Sequence, residues 1–112
     1  MKIQVRKEGK IDVLEFSGEI SITGGTSELR DLFCTRLDEG GKLFVFDLLG
    51  VTWLDSSGIG EIVACYKRAR ENGADVKLVL KDKAHDLFTF CALDRVFDMY
   101  ETLPSAMAGF VK

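Results

Sequence analysis

Histidine and proline occur once each in this chain, cysteine three times, and the 15 basic residues are outnumbered by 18 acidic ones. Each scarcity excludes a class of function. One histidine rules out any metal site built on two imidazoles and leaves His85 as the sole His candidate for a serine-directed base. Scattered Lys and Arg, with a formal net charge of −3, lack the basic footprint of a nucleic-acid binder, so direct DNA or RNA contact is not expected. Cys34, Cys65 and Cys91 are odd in number and far apart, which fits neither a disulfide framework nor a C-x-x-C metal or redox motif. They read as buried free thiols in a reducing cytosol. No run approaches the ~18 apolar residues of a membrane span, and residues 1–7 have no apolar leader core, so a cytoplasmic protein without membrane insertion is expected.

What is present is a chain of 112 residues, 46% hydrophobic and 29% charged, the balance of one compact domain spanning residues 1–112. Such a length buries roughly two-thirds of its unfolded surface and needs no staples. Residues 3–7 and 11–17 are two short β-rich runs around Glu8-Gly9-Lys10, a hairpin signal. In the second run Leu14 and Phe16 share a face, but Val13 on the other makes the alternation mixed. Residues 19–25 read as a polar, glycine-containing loop. Leu29, Leu32, Phe33 and Leu37 then recur at helical spacing up to the Gly40-Gly41 stop.

Residues 43–49 are nearly continuous apolar sequence, as expected of a central strand covered on both faces, and residues 50–54 read as a connection. A second helix follows, with Ile59, Ile62, Val63 and Tyr66 as its apolar stripe, Glu61 among its polar residues, and Asn72-Gly73 at its end. Residues 75–80 form another strand, 81–93 a helix through Leu87, Phe88 and Cys91, and 96–100 a last strand. Pro104 suits the first turn of a closing helix that Ala106, Met107 and Phe110 dock on the sheet. The predicted order is β-β-α-β-α-β-α-β-α, an α/β fold with a mixed, mainly parallel sheet.

The chemistry concentrates in Asp55-Ser56-Ser57-Gly58-Ile59-Gly60, between a strand end and a helix. A helix N-terminus offers unpaired N–H groups and a positive dipole end, a place for an anion. Plain helix capping explains the same residues, although two glycines in a first turn are poor helix formers and suggest close approach of a backbone or partner. The dinucleotide fingerprint lacks its third glycine, and no Gly-Lys-Ser/Thr occurs. A serine-hydrolase elbow fails as well, since Asp55 and Ile59 stand where glycines are needed around Ser57. His85 reads as a surface residue.

This hexapeptide, preceded by Phe44-Val45-Phe46-Asp47-Leu48 and followed by Val76-Lys77-Leu78-Val79, resembles the STAS domain, in particular the stand-alone bacterial anti-sigma-factor antagonists. Gly18-Glu19-Ile20, Leu93-Asp94-Arg95-Val96-Phe97 and Ala106-Met107 extend the resemblance over almost the whole chain. It implies that Ser56 is phosphorylated by an anti-sigma factor serine kinase and dephosphorylated by a metal-dependent PP2C-type serine phosphatase. It implies a partner-binding surface of Asp55, Ser57, Gly58 and Ile59, with Ser21 and Thr23 from the preceding loop. Ser21 departs from the acidic residue that many relatives carry there. No catalytic residue, cofactor or metal of its own is expected.

Three other readings stay open. One is a STAS subunit of a membrane transporter or signalling assembly that docks without phosphorylation. Another is an enzyme using Ser56 or Ser57 as nucleophile, for which no nearby His or oxyanion motif is recognisable. The last is a small-molecule or nucleotide sensor at the glycine-lined helix start.

Overall fold

The computed structural model describes residues 2–22 and 24–110. Its strands are β1 (Lys2–Glu8), β2 (Ile11–Ile20), β3 (Leu43–Leu54), β4 (Asp75–Val79) and β5 (Asp98–Tyr100). The helices are α1 (Thr26–Asp38), α2 (Ser56–Glu71), α3 (Asp82–Phe90) and α4 (Leu103–Ala108), with a 3-10 turn at Leu93–Arg95. The strands lie in the spatial order β1-β2-β3-β4-β5; β1 runs antiparallel to β2, and every other neighbouring pair is parallel. The α/β class and element order are those read from the sequence.

Both faces of the sheet are covered, which explains the mixed alternation in β2 and the unbroken apolar run in β3. Side chains of a strand point alternately to opposite faces. Leu14, Phe16, Phe44, Phe46, Leu48, Val76 and Leu78 therefore enter the main core, against Leu29 and Phe33 of α1, Ile62, Cys65 and Ala69 of α2, and Phe88 of α3. Val13, Val45 and Val79 face the other way and are roofed by Ala106, with Leu103, Met107 and Phe110 around it. The closing helix docks as expected, and Thr102 caps it through Ser105 N–H.

Two segments expected as loop or connection are strand. β2 continues through Gly18-Glu19-Ile20, and β3 continues through Gly50–Leu54, because these stretches pair with each other: Ser17 with Gly50, Gly18 with Val51, Glu19 with Trp53, Ile20 with Leu54. The register slips between Glu15 and Ser17 and again between Gly18 and Glu19. Gly18, at φ 90°, thus serves an irregular ladder, where the sequence suggested an exit from one.

Two further boundaries move inward. The helix expected over 81–93 stops at Phe90, with Ala92 in a left-handed conformation, and the last strand begins at Asp98. The cysteines also divide. Cys65 is buried, Cys34 is half-buried, and Cys91, expected inside, is exposed because α3 ends before it.

Candidate functional site

The paired overhangs of β2 and β3 deliver two segments to one end of the sheet: the turn after Ile20 and the start of α2. Asp55 is the N-cap of α2 and takes extended dihedrals, so that its carboxylate swings back over the first turn. One oxygen accepts from the N–H groups of Ser57 at 3.0 Å and Gly58 at 3.1 Å; the other accepts from Ile22 N–H at 3.1 Å. A single carboxylate thus caps a helix and ties down a loop 33 residues away in sequence. The Ile22 N–H, followed by those of Gly58 and Ser57, holds the Asp55 pKa below its ordinary value, against a smaller upward pull from burial.

This geometry bears directly on two of the open readings. The first-turn N–H groups of Ser57 and Gly58, which would cradle an anion or an oxyanion, already bond to Asp55. A phosphate ligand or an acyl intermediate would have to compete with a built-in carboxylate, and His85 sits half-exposed on α3 beside Asp86.

Gly58 is buried for a backbone reason. A Cβ on it would run into the Ile20 carbonyl and the Leu54 side chain, so glycine lets the first turn of α2 lie directly on the strand ends. Gly60 has nothing within 4 Å of such a Cβ and faces open space. Close approach, suggested for both glycines, holds for the first alone.

Ser56 is the first residue of α2 and is exposed, whereas Ser57 is half-buried. Among the described residues, no hydrogen bond ties down the Ser56 hydroxyl. Ile59 is half-buried and turns inward to the main core. Ser21 is 4% exposed and closes a tight turn with Gly24 through N–H···O bonds of 2.9 and 3.1 Å in the two directions, so it shapes the loop from inside. Thr23 lies outside the described residues. The structure thus gathers Asp55, Ser56, Ser57, Gly58 and the Ser21 turn at one end of the sheet.

Two apolar side chains that sequence reading did not single out stand exposed on the segments that flank the motif. Ile22 is 80% exposed and Trp53 59%, the first on the loop held by Asp55 and the second two residues before it. Their signal was present as an isoleucine in a polar loop and the lone tryptophan next to the motif. A third residue differs more sharply: Glu61, read as one of the polar residues off the apolar stripe of α2, is buried at 6% exposure. Its carboxylate takes Arg30 Nη2 of α1 at 2.6 Å and Arg68 Nη1 of α2 at 3.3 Å, a link that an apolar-periodicity count cannot detect. The hydrogen bond and charge of Glu61 raise the Arg30 pKa.

Among the described residues, no cluster of three or more His, Cys, Asp or Glu has the arrangement of a metal site, and no helix is long and apolar enough to cross a membrane.

A family model described as the STAS domain matches residues 2–106. Among solved structures, the chain is similar to an anti-sigma factor antagonist from Mycobacterium paratuberculosis, with 22% identity and a TM-score of 0.89 over 99% of this chain and 94% of that one. It is similar to the Thermotoga maritima protein TM1081, with 21% identity and a TM-score of 0.90 over 98% and 95%. It also resembles the Bacillus cell fate determinant SpoIIAA in its phosphorylated form, with 16% identity and a TM-score of 0.72 over 95% and 96%.

Proposed function

From the premise that this chain belongs to the STAS domain family, we propose that it is an anti-sigma factor antagonist switched by phosphorylation of Ser56. Unmodified, it binds an anti-sigma factor serine kinase and so frees a sigma factor; phosphorylated, it lets go. A PP2C-type serine phosphatase resets it, all in the cytoplasm where a sigma factor works. The chain itself catalyses nothing, and its serine is a substrate for others.

The observation that carries this reading is the setting of Ser56: an exposed hydroxyl on a capped helix start, with exposed Trp53 on the strand that leads into it and exposed Ile22 on the loop that Asp55 holds. Exposed apolar groups of that size suit burial against a partner. A phosphate adds about −1.5 to −2 charges at one point of that surface. A partner packed over it would have to desolvate the dianion, and a loss of ~2.7 kcal/mol already weakens binding about a hundredfold. The helix dipole tolerates the charge, so the domain itself need not unfold.

The test mixes the purified protein with a candidate anti-sigma kinase and ATP and maps the phosphosite by mass spectrometry. Phosphate is expected on Ser56 and absent in Ser56→Ala, while Ser56→Asp binds the kinase at least tenfold more weakly. Phosphate on another residue, or undiminished binding by Ser56→Asp, overturns the reading.

A further inference from the structure

β3 is longer than the strand beside it. Its register with β4 ends at the pair Asp47 and Val79, while its pairing with β2 continues to Leu54. The sheet order leaves no other neighbour on that side. Residues 50–54 therefore present an edge without a strand partner among the described residues, in the middle of a sheet where β4 would have continued.

The space beside this edge is a cleft. One part, of about 360 Å³, is lined by Val51, Thr52, Trp53 and Leu54 on one side and by Lys83, Ala84 and Leu87 of α3 on the other. Four consecutive residues of one strand cannot line a cleft over a single face, because their side chains alternate; the cleft runs along the strand's edge. A second part, of about 310 Å³, shares Val51, Thr52, Lys83 and Ala84 and adds Leu48 and Leu49 of β3 with Lys81 and Asp82, the latter at φ 57°. α3 starts at that residue, on the side of the cleft opposite the edge.

We propose that the Gly50–Leu54 edge of β3 docks an extended, acidic segment of a partner protein by strand addition. An unpaired edge offers N–H and C=O groups that match an extended backbone. The cleft gives that segment an apolar wall of Ala84 and Leu87. Its far rim carries Lys81 and Lys83 around the lone Asp82, a net positive stretch on a chain of formal charge −3. Carboxylates along the incoming strand would meet the two lysines. The proposal does not depend on phosphorylation of Ser56, and its test involves no kinase, so either can fail alone.

The experiment titrates the full chain with the capped peptide acetyl-Val-Glu-Val-Glu-Val-amide, followed by amide NMR and hydrogen exchange. Saturable shifts are expected at residues 50–54 and 81–87, with a Kd below about 1 mM and slowed exchange of amides within 50–54. The same peptide N-methylated at alternate amides, and its lysine counterpart, should each bind at least tenfold more weakly, and Lys83→Glu should reverse the charge preference. Equal binding of the N-methylated or lysine peptide overturns the proposal. So does an absence of saturable binding, a set of shifts centred elsewhere, or protection of the same amides by self-association of the free protein.

Discussion

Gly58 and Gly60 stand two residues apart in one helix and answer to different demands. A methyl group at Gly58 must displace the Ile20 carbonyl or the Leu54 side chain, both parts of the strand ends. Gly58→Ala is expected to destabilise by about 1–3 kcal/mol, the usual cost of overpacking. Gly60→Ala meets open space and removes the entropy cost of a helical glycine, so a gain of about 0.5–1 kcal/mol is expected. Urea unfolding of the two variants, moving in opposite directions, checks both. Asp55 gives a pH dependence. Because its folded pKa lies below the ordinary aspartate value of 3.8, the cap and tether are fully present above that value. They are lost as pH falls through the lowered folded pKa. An NMR titration should show the Ile22 and Gly58 amides moving together, with a midpoint below 3.8.

At the scale of elements, Glu61 joins α1 to α2 inside the protein. It bonds Arg30 of one helix and Arg68 of its own, and its carboxylate is almost fully removed from water. Glu61→Ala should cost about 1–3 kcal/mol through a lost link and a small void. Glu61→Met fills the volume without charge and should lie closer to the parent, since buried ion pairs often do little better than apolar isosteres. Equal losses in both variants would assign the stability to the ion pairs themselves. The overhangs of β2 and β3 are the other pairing at this scale. Gly18 and Gly50 interrupt the two apolar runs, and a local reading takes each glycine as the end of its strand. Both segments are strand here because each overhang is the other's partner along a slipped ladder.

For the whole molecule, the thiols report which surface is covered. Cys91 is exposed, Cys34 half-buried and Cys65 buried, with the Cys65 pKa pushed up to about 12 by burial and by the neighbouring Glu61. Iodoacetamide should label Cys91 first, Cys34 more slowly, and Cys65 on unfolding; early labelling of Cys65 would contradict the packing of α2 on the sheet. The phosphate proposed for Ser56 would act at the opposite extreme. Because the residue is exposed at a helix start, Ser56→Asp should change stability by no more than about 0.5 kcal/mol. A thermal melt that drops well beyond that range would place the proposed switch in the fold, not at its surface.

The element order, the covered central strand and the Asp55–Gly60 hexapeptide were legible in the sequence, because periodicity, turn residues and capping are local properties of a chain. Tertiary structure decided what depends on contacts between distant segments. It made strands of 18–20 and 50–54, paired Glu61 with Arg30, and used the first-turn N–H groups of α2 on Asp55 while Asp55 held Ile22. Scarcity of histidine, cysteine and basic residues was a statement about composition that needed no fold. The exposure of Ser56, and of Ile22 on a loop that Asp55 holds from 33 residues away, was not, since burial is settled by what packs against a residue.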